Sequence, residues 1–303
     1  MNIIITGAGG FLGQHLINFL YENINEEVLI YSLGTKNLSK CKNYYIDDIN
    51  DKRQINLAIS SIKPDYLFHL AGTADNSLNS KTIKAVNTTY CSILLNSIKI
   101  NNLQDHTKIL IVGSSAEYGI VKPEELPISE NFNPKPTTLY GKSKYNQTIN
   151  SLSWQKKSRK LVVVRPFNII GKNMPKYLAI GNFFSQISSL PKKGFLETGN
   201  LNVERDFIDV YDVVNIMWSL INNDKSYGEA INICTCKKLK LKKLVHSMIK
   251  LSGKQIKIKI NQSRIRKKDM NIHFGDNKKL LSLVGTYKFI SWQQSLKKLM
   301  KNI

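Results

Sequence analysis

Asn2-Ile-Ile-Ile-Thr-Gly7-Ala-Gly-Gly-Phe-Leu-Gly13 runs from a short apolar stretch straight into glycines at every third position, Gly7, Gly10 and Gly13. Residues 2–6 read as a buried strand. Leu16, Phe19 and Leu20 continue beyond the glycines at helical spacing. Strand, glycine turn and helix is the context in which such a pattern acquires meaning. Glycine permits a tight turn and lets backbone approach a pyrophosphate. Unpaired N–H groups at the start of the helix then face the phosphate charge. The turn therefore predicts dinucleotide binding; the bland alternative is an ordinary tight turn.

Further along, residues 28–31, 66–72, 108–113 and 161–165 read as strands, the last stopped by Pro166. Between two of them, residues 87–100 fit a helix with Cys91, Leu94, Leu95 and Ile98 on one side. Alternating strands and helices predict an α/β fold, a Rossmann-like and mostly parallel sheet with helices on both faces. The pattern changes after Pro166. A helix over 209–221, a strand over 229–234, a helix over 239–250, a strand over 254–260 and a short terminal helix predict a smaller C-terminal α/β domain. The expected division is 1–165 and 166–303, with some later segments returning to the first domain.

The chain has 303 residues, 42% of them hydrophobic, with 44 Lys and Arg against 22 Asp and Glu. That is too apolar for a disordered polycation. Four cysteines make no disulfide scaffold, no pair has metal-ligand spacing, and no metal is expected. Cys234 and Cys236 read as structural. The net charge of +22 is uneven: residues 237–303 hold 19 basic side chains and two acidic ones, Asp269 and Asp276. Such a field attracts nucleic acid, an anionic membrane or a phosphorylated small molecule. A bias toward Lys, Asn and Ile along the whole chain favours compositional drift, so neither nucleic acid nor membrane insertion is expected. No stretch has the length to cross a bilayer, and the first apolar run is too short for a secretion signal. A cytoplasmic protein is the expectation.

Tyr140-Gly-Lys-Ser-Lys144 places a phenol and an ammonium at i and i+4, on one face of a helix. The ammonium favours tyrosinate and eases proton exchange. Gly113-Ser-Ser-Ala-Glu-Tyr-Gly119 ends a predicted parallel strand, where ligands sit in open α/β sheets. At the end of the second strand, Leu29-Ile-Tyr-Ser-Leu-Gly34 has no acid to bind a ribose diol. Ser32 and Lys36 suit a 2′-phosphate, so the balance falls to NADP over NAD. Asp48 and Ile49, after the third strand, are placed to meet the adenine.

Six segments together make the chain similar to extended short-chain dehydrogenase/reductases of the sugar-nucleotide epimerase/dehydratase group. They are Thr6–Gly13, His69–Gly72, Ser114–Gly119, Tyr140–Lys144, Arg165–Asn168 and Arg205–Val210. Asp276–Leu280 and Trp292 suit that family's closing segment. The resemblance implies Tyr140 as acid/base, Lys144 as its electrostatic partner and Ser115 as the hydroxyl on the sugar oxygen, with Ser114 as rival. It implies cofactor contacts from Gly7, Gly10, Phe11, Leu12, Gly13, Leu70, Ala71, Gly72, Asn87 and Pro166, besides Tyr140 and Lys144. Thr73, Ser115, Ala116, Glu117, Asn168, Asn200 and Arg205 are implied at the substrate. A homodimer through helices near 87–100 and 140–154 is implied as well.

Residues 199–207 resemble the segment that follows GDP-sugars in GDP-mannose dehydratases and GDP-4-keto-6-deoxymannose reductases. Ser263–Arg266 resembles a nucleotide-contacting stretch of those reductases, with Lys267 in place of their proline. Arg205 and Arg266 are thereby implied as diphosphate clamps, since guanidinium forks match phosphate oxygens. Ala116 stands where ketoreductase–epimerases carry cysteine, and residues 167–200 contain no histidine. The expected activity is NAD(P)H-dependent C4 reduction of a GDP-4-keto-6-deoxy sugar. The alternative is a 4,6-dehydratase or 4-epimerase with retained NAD; a non-catalytic dinucleotide- or RNA-binding protein stands further off.

Overall fold

The computed structural model describes residues 1–301 except 25, 76, 156–159 and 266–269. In chain order the first half holds β1 (Asn2–Thr6), α1 (Phe11–Asn23), β2 (Leu29–Gly34), β3 (Lys42–Tyr45), α2 (Lys52–Ile62), β4 (Tyr66–His69) and α3 (Ser80–Lys84). A π-helical turn, Ala85–Thr89, leads into α4 (Tyr90–Ile100), then come β5 (Lys108–Val112), α5 (Leu139–Gln155) and β6 (Leu161–Pro166). The remainder comprises β7 (Asn168–Ile170), α6 (Ala179–Ser189), β8 (Lys193–Thr198), β9 (Glu204–Asp209), α7 (Val210–Ile221), β10 (Ala230–Ile233), β11 (Lys238–Lys240), α8 (Leu241–Ser252), β12 (Gln255–Ile260), β13 (Ile272–His273), α9 (Lys278–Val284) and α10 (Trp292–Met300).

Seven strands form one sheet in the order β10-β6-β5-β4-β1-β2-β3, and every neighbouring pair is parallel. A parallel sheet covered by helices must be apolar on both faces. β1 meets that demand with consecutive isoleucines. Ile3 and Ile5 enter a core with Leu16 and Leu20 of α1 and Val213 and Met217 of α7. Ile4 points the other way, among Ile55 and Ile59 of α2 and Leu94 and Ile98 of α4. α7 and β10, both beyond residue 165, thus complete this first layer.

The smaller region has its own core of Phe183, Ile187, Leu196, Leu244, Val245, Met248 and Leu296. β9 pairs with β7, β11 and β13, while β8 pairs with β12 alone. α8 buries Leu241, Leu244, Val245 and Met248 and turns Lys242, Lys243 and Lys250 to solvent, as the amphipathic reading expected. Lys254 closes α6: its ammonium donates to the carbonyls of Ile187, Ser188 and Leu190 at 2.7, 3.1 and 2.6 Å. A cation at a helix C-terminus satisfies carbonyls that have no partner within the helix.

Candidate active site

Because the seven strands are parallel, β1, β4, β5 and β6 all end on one edge of the sheet. Gly7 has a φ of +69°, and a Cβ on it would stand 2.7 Å from the Ala71 nitrogen. Only glycine lets the ends of β1 and β4 approach so closely. Thr6 Oγ1 and His69 Nδ1 lie 2.8 Å apart and tie those ends together. Burial holds the His69 ring neutral, lowering its pKa to about 3. A Cβ on Gly13 would fall 2.4 Å from the Gly7 carbonyl oxygen. Gly10 is the N-cap of α1 and supplies no side-chain cap. Phe11 and Leu12 therefore open a helix whose first N–H groups have no side-chain partner.

At the end of β5, Ser114 caps a 3-10 turn, Ser115–Glu117. Ser114 Oγ accepts from the Ala116 N–H at 3.1 Å, and Glu117 accepts from the Ser114 N–H at 2.8 Å. Tyr140 and Lys144 lie one turn apart on α5 beside this loop. The Ser114 side chain stands near enough to the Tyr140 phenol to hold its pKa down. Burial pushes that phenol up to about 12, and Glu117 and Tyr177 add to the rise. The Lys144 ammonium is buried and donates to the Val112 carbonyl at 2.8 Å and Gln147 Oε1 at 3.0 Å. Burial lowers its pKa to about 8, against opposing pulls from Glu117 and Cys91.

Asn87 sits in the π-helical turn and is fully buried. Its carboxamide accepts from the Thr73 N–H at 2.7 Å and donates to the Thr73 carbonyl at 3.0 Å and Ser143 Oγ at 2.9 Å. It thereby clamps the loop after β4 to α5. A Cβ on Gly72 would stand 2.8 Å from Lys144 Nζ and 3.3 Å from Asn87 Oδ1. Gly72 leaves the room in which these two groups meet.

The sequence profile of the NAD dependent epimerase/dehydratase family matches residues 3–234. The chain belongs to that family. A GDP-6-deoxy-D-talose 4-dehydrogenase from Aggregatibacter actinomycetemcomitans is 30% identical to this chain over 304 residues, spanning 100% of this chain and 98% of the relative. The structure of RMD from Pseudomonas aeruginosa complexed with NADPH superposes with a TM-score of 0.84 at 23% identity, over 99% and 97% of the two chains. UDP-glucose 4-epimerase with UDP-glucose from Thermotoga maritima gives a TM-score of 0.87 at 21% identity, over 99% and 98%. The fold is thus a Rossmann-like sheet with a smaller C-terminal α/β domain, and the family binds NAD or NADP. The glycine cradle and the uncapped start of α1 both fit a dinucleotide.

Other expected residues of this epimerase/dehydratase fall in varied places. Pro166 is buried at the end of β6. Ser32 is also buried, within β2. Lys36 is exposed in the loop after β2. Asp48 is exposed and accepts from Asn50, while Ile49 packs on the core beneath α2 and α4. Asn168 donates to the Asp206 carbonyl at 2.9 Å, and Asn200 accepts from the Asn202 N–H at 2.9 Å. Arg205 donates to the Glu204 carbonyl at 2.8 Å. Arg264 pairs with Glu197 at 3.4 Å. Arg266 lies outside the described residues.

Ser115 was expected at the sugar oxygen with Ser114 as rival; Ser115 is buried in the 3-10 turn, and Ser114, its N-cap, is the one near the Tyr140 phenol. Glu117 was expected at the substrate. It is fully buried and accepts from Arg165 Nε at 2.8 Å, Thr148 Oγ1 at 3.0 Å and the Ser114 N–H. Burial pushes its carboxyl up, and the guanidinium is the largest influence holding it down.

The sequence reading also passed over His273. β13 brings this residue beside Arg205 of β9, its ring centroid 5.2 Å from that of Phe167. Burial and then Arg205 lower its pKa to about 4, so it is neutral at physiological pH. No periodicity signals it, since β13 is only two residues long. Gln147 was legible: it lies three residues after Lys144 on the same helical face.

Proposed function

We propose that the chain carries out nicotinamide-dependent redox chemistry at C4 of a nucleotide-linked sugar, with net reduction of a GDP-4-keto-6-deoxy sugar as its reaction. The observation that carries the reading is the Tyr140 phenol, beside Ser114 and one turn from Lys144, at the C-terminal end of β5. The dinucleotide, when bound, exchanges hydride with the sugar carbon. Ser114 and Tyr140 orient the carbonyl oxygen by donating to it. A phenol with a pKa near 12 is protonated at neutral pH, so Tyr140 gives its proton as alkoxide character develops. Lys144 places its charge beneath that exchange and holds the ribose side of the cofactor. Lys36 supports NADP, because a lysine rather than an acid follows β2. The 4-dehydrogenase relative, aligned over its whole length, supports a GDP-6-deoxy sugar as substrate.

Retained-NAD epimerisation is the second reading. The family description and the similarity to a 4-epimerase favour it, since both reactions need the same acid/base and hydride geometry. Dehydration is supported less: the Glu117 carboxylate already holds three donors and is sealed from the cleft. The test is a screen of 4-keto sugar nucleotides carrying GDP, dTDP, UDP or CDP with NADPH and NADH. Stoichiometric loss of nicotinamide absorbance supports reduction. Interconversion of sugars without net absorbance loss, with NAD released on denaturation, replaces it by epimerisation. A homodimer through α4 and α5 belongs to the same proposal. Exposed Ile100, Leu139 and Ile149 support it, and light scattering of the purified chain tests it.

A further inference from the structure

An ammonium has three donors and no acceptor, and Lys144 is buried. Two donors are accounted for within the protein, by the Val112 carbonyl and Gln147 Oε1. The ammonium lies close against Gly72, where a Cβ would stand 2.8 Å from Nζ and 3.3 Å from Asn87 Oδ1. Gln147 is itself wholly buried. Its orientation is fixed by chemistry: only the amide oxygen can face an ammonium. The amide nitrogen is turned toward the Cys91 thiol and has no nitrogen or oxygen partner among the described residues. A buried carboxamide with one end on the ammonium and the other left poorly satisfied is costly for folding alone.

We propose that Gln147 is a positioning residue for the reaction, holding Lys144 by a neutral acceptor so that the ammonium stays in place against Gly72 and remains able to titrate. This rests on the role proposed for Lys144 above. The charge type matters. A carboxylate at this position would lock the lysine in its charged form, and an apolar side chain would leave one N–H unpaired and favour the neutral amine. The other groups facing Lys144 are Glu117 from the turn after β5, Cys91 from α4, the neutral His69 from β4 and Tyr140 on its own helix. Glu117 is already engaged by Arg165, and Cys91 is a buried thiol whose pKa burial raises. Gln147 is thus the adjustable contact.

The experiment compares wild type with Gln147→Glu and Gln147→Leu in the full chain. The Lys144 ammonium is followed by 15N-lysine NMR, assigned with Lys144→Arg, and the pH profile of turnover is recorded alongside. Q147E is nearly isosteric and carries the test if Q147L fails to fold. The expected result is a Lys144 titration about one pH unit higher in Q147E and about one unit lower in Q147L. The alkaline limb of kcat should move with it, while KM for the sugar stays within about twofold. An unchanged Lys144 titration in a folded Q147E overturns the inference. A shifted titration in a protein that turns over no sugar nucleotide leaves it standing and overturns the proposed reaction instead.

Discussion

Arg165 Nε lies 2.8 Å from Glu117 Oε2 in an ion pair sealed under the Ser114–Glu117 turn. The same guanidinium donates to the Tyr118 hydroxyl at 3.2 Å and lies over that ring, and Tyr118 donates in turn to Asn232 Oδ1 at 2.6 Å. The pair therefore bolts the catalytic turn to β6 and β10. Removing one partner strands the other charge. Glu117→Ala should cost about 3–5 kcal/mol, measured by urea unfolding, while Glu117→Leu combined with Arg165→Met should cost less than the sum of the single changes.

Tyr140→Phe should lower kcat about 10²- to 10⁴-fold and leave dinucleotide affinity within a factor of a few, as read by turnover and by calorimetry. Ser114→Ala should reduce kcat more than Ser115→Ala, because Ser114 is the serine that holds the phenol pKa down. The reverse order would return the role to Ser115.

Lys144 makes stability depend on pH. Its folded pKa of about 8 lies below the unfolded value of 10.5, so between those values the unfolded chain binds more protons. Stability from this group therefore rises with pH across that window, by at most about 1.4 kcal/mol per unit. Urea midpoints measured from pH 7.5 to 10 should show this slope as the difference between wild type and Lys144→Met. Equal slopes in the two proteins would show that the ammonium is not desolvated.

Two glycine substitutions should behave differently. The Cβ of Gly13→Ala meets a backbone oxygen at 2.4 Å that cannot give way. This variant should lose dinucleotide binding and stability together. The Cβ of Gly72→Ala meets the tip of Lys144, a flexible side chain. It should keep a near-native unfolding midpoint while kcat falls about tenfold. Calorimetry and turnover separate the two patterns.

Lys36→Glu should weaken NADPH binding about tenfold or more and change NADH binding little, because a charge-assisted contact to the 2′-phosphate is lost. Equal effects on both cofactors would assign Lys36 to the solvated loop. Fluorescence titration of the two reduced dinucleotides provides the measurement.

Residues 2–13 were readable because everything they do is local. An apolar run, a glycine turn and a helical repeat set β1, the cradle and α1 before any distant segment arrives. Tyr140 and Lys144 were readable for the same reason, since i and i+4 share a helical face wherever the helix lies. The expected start of a helix at residue 87 instead became a π-helical turn, where Asn87 leaves the regular ladder to clamp Thr73. That contact joins the loop after β4, and sequence spacing does not reveal it.

The sequence by itself determined the parallel sheet, the dinucleotide turn and the shared helical face of Tyr140 and Lys144, because short-range periodicity and steric freedom act on neighbouring residues. Only the tertiary structure decided that Ser114 lies nearest the phenol, that Glu117 pairs with Arg165, and that His273 lies beside Arg205. Those outcomes depend on desolvation and on hydrogen bonds between segments far apart in the chain. Burial pairs the Glu117 carboxylate with Arg165, and the closure of β13 on β9 sets the His273 imidazole beside Arg205.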